Sequence, residues 1–150
     1  MGLDCSHDAF SGAYSAFNRF RQAVAHAIGG SYPPHYEYHE DGTLVEREGR
    51  VVRREGLDEA LFYFPDDFKM EDYPGITEFM SHSDCDGSIS PKLCKLVADE
   101  LEREALPKVK ELRWNGGGHI EREGGYVAVL EQFIKGCREA HSKRQSLKFR

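Results

Sequence analysis

Apolar positions along the chain follow two periods. Phe10, Tyr14, Phe17, Phe20, Val24 and Ile28 recur at steps of three and four, which predicts an amphipathic helix over 12–28 with these side chains facing a core. Gly29-Gly30 supplies its stop. A second stripe, Leu93, Leu96, Val97 and Leu101 with Cys94 beside it, predicts a helix from Pro91 to about Glu104. Its charged positions, Glu100 and Glu102 among them, are expected in water. A third stripe of Tyr126, Leu130, Phe133, Ile134 and Cys137 predicts a helix from about Gly125 to His141. Alternation marks the strands. Leu3 and Cys5 predict a short N-terminal strand, and Ser146–Phe149 a closing strand that can join it. Tyr36 and Tyr38 would share one strand face and His35, Glu37 and His39 the other, solvated one. Asp41-Gly42 is a hairpin turn signal, and a second turn around Gly49 completes a small charged antiparallel hairpin.

The stretch 57–81 is less regular. Leu61, Phe62, Phe64 and Phe68 read as buried, and Ile76–Met80 as a short helix or strand. Together the elements predict a single α+β domain over 1–150, with three main helices packed on a small, mainly antiparallel sheet.

The densest polar chemistry lies between the stripes, at His82-Ser83-Asp84-Cys85-Asp86-Gly87-Ser88-Ile89-Ser90-Pro91. Much of it is helix-entry chemistry. Asp84 and Asp86 can make Asx turns, Gly87 permits a positive φ, Ser90 is an N-cap, and Pro91 suits the first helical position. That account leaves His82 and Cys85 unused. The spacing also matches the middle of a calcium loop, but His82 and Leu93 stand where the first and last carboxylates belong, which disfavours calcium. His82, Asp84 and Asp86 form instead a candidate set for a borderline divalent ion such as Zn²⁺ or Mn²⁺. Ser6-His7-Asp8, at the end of the first strand, is a second candidate. It either starts the following helix or sets His7 at a pocket mouth as acid, base or ligand. Arg19 with Tyr14 and Asn18 offers an anion-binding edge, whereas Arg21 is expected to be solvated or paired with an acid. The candidate ligand-binding set is therefore His7, Asp8, Tyr14, Arg19 and His82, with His7 and His82 sharing one pocket.

Charge and composition narrow the classes. The formal net charge is −6, which argues against a nucleic-acid backbone as partner. No apolar run approaches the roughly 18 residues that span a membrane, and the N-terminus lacks an apolar signal core, so a cytoplasmic location is expected. The four cysteines form no C-x-x-C pair and read as free thiols. Asn115-Gly-Gly-Gly-His119 matches neither a P-loop nor a dinucleotide fingerprint and reads as a linker.

Three stretches carry a resemblance: Gly2-Leu-Asp-Cys-Ser-His-Asp-Ala-Phe-Ser-Gly-Ala-Tyr, His82-Ser-Asp-Cys-Asp-Gly with Ser90-Pro91 and Cys94, and Phe133-Ile-x-Gly-Cys with the closing Leu147-Lys-Phe. They resemble small uncharacterised proteins of phage, prophage and bacterial genomes. The resemblance implies a phage accessory role and a common site for the first two stretches, with no activity attached. The leading expectation is a cytosolic accessory protein that binds a small ligand or a metal. The alternatives are a metal-dependent hydrolase using His7 and the His82–Asp86 turn, and an acidic protein-interaction module with no ligand site.

Overall fold

The computed structural model describes residues 2–39, 44–111 and 125–150. It is an α+β fold. In chain order the elements are β1 (Gly2–Asp4), β2 (Ser11–Ala13), α1 (Tyr14–Ala27), β3 (Glu46–Arg47), β4 (Arg50–Val51), α2 (Pro74–Ser81), β5 (Ser88–Ile89), α3 (Pro91–Glu100), a π turn at Leu101–Ala105, α4 (Leu106–Glu111), α5 (Gly125–Ser142) and β6 (Leu147–Lys148). The strands do not form one sheet. They pair as β1 with β2, β3 with β4 and β5 with β6, all antiparallel. The Asp41-Gly42 turn, the Leu112 and Trp114 side chains expected to pack from a short segment over 108–114, and the glycine loop at 115–119 lie outside the described residues.

The stripe read from α1 is the centre of the core. Phe17 has ring contacts with Phe10, Phe20, Phe79, Phe133 and Phe149 at centroid distances of 5.0 to 6.0 Å. Most of these pairs meet edge to face, the arrangement that the aromatic quadrupole favours. Segments far apart in sequence therefore converge on one helix: the N-terminal turn, α2, α5 and the closing strand. Tyr14 is only half-buried and packs on the edge of this cluster.

Two local features fix the ends of the chain. Gly136 in α5 sits where a Cβ would run into the backbone of Ala9, at 2.6 Å from its Cα. Only a residue without a side chain lets α5 lie directly against the N-terminal turn. The closing segment then works on both sides. β6 pairs with β5, the Phe149 amide donates to the Gly87 carbonyl (2.9 Å), and Asp4 and Arg150 exchange two backbone hydrogen bonds (2.7 and 3.1 Å). The closing strand does join the N-terminal one, through the Cys5–Phe149 bridge, and joins the central turn as well.

Several expectations change. Arg21 is 3% exposed, not solvated. The C-terminal half of α1 is covered nearly all round, by the core and by the 31–38 connector, so its polar residues are enclosed as well. His35 is fully buried rather than on a wet strand face, and Glu100 is 4% exposed. Leu61 is 52% exposed, because the 57–64 stretch runs along the surface and turns only Phe62 and Phe64 toward the core. Leu96 is half-buried. Residues 74–81, ambiguous between helix and strand, are helical, with Pro74 at the first position.

Candidate functional site

The chain turns sharply after β1. His7 and Asp8 both adopt left-handed backbone, with φ of 59° and 54°. Such conformations are uncommon outside glycine, and two in succession require support from surrounding structure. The support is visible. Gln132 from α5 donates to the Asp8 carbonyl (2.6 Å), the Lys148 amide donates to Ser6 Oγ (2.8 Å), and the His7 ring bridges Ser6 Oγ (2.9 Å at Nδ1) and Gln145 Oε1 (2.7 Å at Nε2). Gln145 Oε1 can only accept, so Nε2 carries the proton. Ser6, already accepting from Lys148, donates its own proton to Nδ1.

A hydroxyl, an imidazole and an amide thus stand in the order nucleophile, base, orienter. The details oppose catalysis. Gln145 brings no charge to stabilise an imidazolium, and the Lys148 amide occupies a lone pair of the hydroxyl that would attack. Both ring nitrogens of His7 are engaged. The arrangement makes a fixed polar floor rather than an activated nucleophile.

That floor belongs to a cavity of about 460 Å³ lined by Ser6, His7, Gln145, Ser146, Lys148 and Arg150. The lining contains no Asp or Glu side chain. Lys148 and Arg150 alternate along the closing strand and so share one face. Phe149, between them, points the other way into the core.

His82 meets that opposite face. Its ring lies 4.1 Å from Phe149, tilted by 37°, and its Nδ1–H donates to the Ser83 carbonyl (2.8 Å). The expected pocket shared by His7 and His82 is therefore not formed: the two imidazoles approach the closing strand from its two sides, and His82 does not line the cavity. The metal set fares similarly. Among the described residues no group of three or more His, Cys, Asp or Glu side chains is placed to hold an ion. His82 faces Phe149, while Asp84 turns to α1 and accepts from Asn18 Nδ2 (3.0 Å). The chain's own carboxylate thus fills the anion-binding edge expected at Asn18. Asp84 and Asp86 do not make the Asx turns either; Ser83 Oγ accepts from the amides of Cys85 (3.3 Å) and Asp86 (3.4 Å). Gly87 has the expected positive φ, at 85°.

Of the ligand-binding candidates, only His7 lines the cavity; Asp8 gives its carbonyl to Gln132, and Arg19 is exposed on α1, near enough to Tyr126 for its charge to act there. Lys148, Arg150, Gln145 and Ser146 were not anticipated. The alternation of Lys148 and Arg150 around Phe149 was the available signal, since it puts two cations on one strand face. No cysteine lines the cavity: burial pushes the Cys5 thiol up to about 12, Cys94 and Cys137 are buried, with Cys94 Sγ donating to the Ile89 carbonyl (3.5 Å), and the exposed Cys85 lies on the central turn. No helix is long and apolar enough to cross a membrane among the described residues. No protein-family model matches the chain, and no curated protein or solved structure matches it.

Proposed function

We propose that the chain binds a small oxyanionic molecule, a carboxylate or a phosphate, in the cavity between the Ser6–Asp8 turn and the closing strand. One observation carries the reading: in a chain of formal net charge −6, this cavity gathers Lys148, Arg150, His7 and two serines without a single Asp or Glu side chain. A local positive field inside a negative molecule steers anions to one place. Arg150 offers a planar fork suited to two oxygens, and Lys148 a point charge beside it. Ser6, His7 and Gln145 hold one another and form a floor that needs no reorganisation when a ligand arrives. The strained His7-Asp8 backbone fits this role, since strain of that kind clusters at binding sites. In this reading the protein is a cytosolic accessory binder of phage or bacterial origin.

Calorimetric titration with inorganic phosphate and with citrate at low salt tests it. Lys148→Ala is expected to weaken binding about tenfold, or 1.4 kcal/mol, and added salt should weaken it further. The thermal midpoint should hold, because Lys148 pairs in the sheet through its backbone and its side chain is exposed. Equal affinity in the variant, or no binding of either anion at concentrations on the order of 10 mM, removes the proposal.

A further inference from the structure

A second cavity, of about 380 Å³, lies between α1 and the 31–38 connector, away from the closing strand. Its base is rigid. Buried His35 donates from Nε2 to the Asp58 carbonyl (3.1 Å), accepts at Nδ1 from the Ser31 hydroxyl (2.7 Å), and gives its own carbonyl to the Arg54 amide (2.7 Å). Gln22 continues the frame, donating to the Pro33 carbonyl (3.1 Å) and receiving the Tyr38 hydroxyl (3.4 Å). His26 packs on Tyr38 with centroids 4.8 Å apart, and its ring N–H donates to the His39 carbonyl. Burial lowers the His26 pKa, so the ring contributes no charge near neutral pH.

The groups left over share one chemistry. Arg53 is engaged twice, by Glu59 (3.2 Å) and over the Tyr36 ring (5.8 Å). Its neighbour Arg54 lines the cleft with no ion pair or side-chain hydrogen bond among the described residues. The Tyr32 hydroxyl accepts from buried Arg21 (2.8 Å), which leaves its own proton for another acceptor. The Tyr36 hydroxyl has no hydrogen bond among the described residues. The one carboxylate in the lining, Glu37, faces Arg47 at 3.7 Å. The lining thus keeps three side-chain donors, Arg54 and the Tyr32 and Tyr36 hydroxyls, set among three tyrosine rings.

We infer that this cleft is a binding site for a one-ring planar aromatic molecule bearing a single oxyanionic group, an aromatic carboxylate or aromatic phosphate ester. Arg54, Tyr32 and Tyr36 take the oxyanion, and the tyrosine faces take the ring. The volume sits at the small end of the range of small-molecule sites, which fits a single ring. The site is independent of the oxyanion cavity on the closing strand.

Phenyl phosphate and benzoate are the probes, followed by NMR of the tyrosine rings and by calorimetry. At least one should shift Tyr32, Tyr36 and Tyr38 with a dissociation constant on the order of 1 mM or tighter, and the tighter of the two identifies the anionic group. Inorganic phosphate and benzyl alcohol, which carry the charge or the ring alone, should each bind at this cleft about tenfold more weakly. Read from the tyrosine signals, which report this cleft alone, Arg54→Gln should weaken the probe about tenfold, Tyr36→Phe by less, and Lys148→Ala, whose loss falls on the closing-strand cavity, not at all. The inference fails if Arg54→Gln binds the probe as the parent does, if benzyl alcohol or inorganic phosphate matches it at this cleft, or if the tyrosine signals stay fixed.

Discussion

Glu100 shows how far a single residue can depart from its pattern. It lies on the charged flank of the α3 stripe, yet its carboxylate is buried against the start of α2. There Oε1 and Oε2 accept from the Gly75 amide (3.0 and 2.9 Å), and Oε1 also accepts from the Ile76 amide (3.1 Å). Burial pushes this carboxyl up, and the two amides oppose the shift. The residue caps a helix that is not its own, and so meets donors that α2 cannot satisfy internally. Glu100→Ala leaves them buried and unpaired, with an expected cost of about 2–4 kcal/mol by chemical denaturation. A loss below about 0.5 kcal/mol would mean that water replaces the carboxylate. Arg21 is the opposite case, a buried guanidinium with no ion pair among the described residues. It donates to Tyr32 and to the His82 carbonyl, lies 4.6 Å from the Phe17 centroid, and leaves Nε unpaired. Neither burial could be read locally. Both depend on which segment comes to lie over the helix, and a periodicity describes one helix alone. The left-handed His7 and Asp8 were equally hidden, since no glycine marks them.

At the scale of elements the sequence is far more legible. The stripes locate α1, α3 and α5 within a few residues, because a helix must bury one face and its apolar spacing records which. The cap at α3 was also readable: Ser90 Oγ accepts from the Leu93 amide at 3.3 Å, with Pro91 next. Ser90→Ala should therefore cost about 1 kcal/mol, read as a lower thermal midpoint; an unchanged midpoint would show that the 3.3 Å bond adds nothing. The end of this helix departs from the reading, which placed it near Glu104. The chain continues through the π turn at Leu101–Ala105 into α4, with the Leu106 amide bonding back to the Leu101 carbonyl. Pro107 gives the cause. Its ring would strike the carbonyl four residues back in a regular helix and it has no N–H to offer, so the backbone widens just before it. A stripe with a period of 3.6 carries no sign of that widening. The small sheets were harder for a related reason. Two- and three-residue strands leave too few alternations to reveal who pairs with whom.

Across the whole molecule, the α+β class followed from the mix of helical stripes and short alternating runs. The placement of the candidate site did not, because it depends on the closing strand running between two distant stretches. That strand has a consequence for how the protein is made. Phe149 touches Phe17 in the centre of the core and His82 on the central turn, and residues 149 and 150 pair with residues 5 and 4. A ribosome delivers the chain from the N-terminus at roughly 5–20 residues per second. For nearly the whole of synthesis, then, Phe17 and the β1–β2 pair have their earlier neighbours but lack Phe149 and Arg150, which arrive last. The core is expected to close when residue 149 has cleared the exit tunnel, in one late, long-range step. Phe149→Ala should cost about 3–5 kcal/mol, and a force-sensing arrest sequence fused beyond residue 150 should report a single folding event that appears only once the tail is fully exposed. A strong signal from chains halted before residue 145 would show that the helices assemble a stable core without it. Until that strand docks, the oxyanion cavity has no wall, so a nascent chain has no binding site to offer.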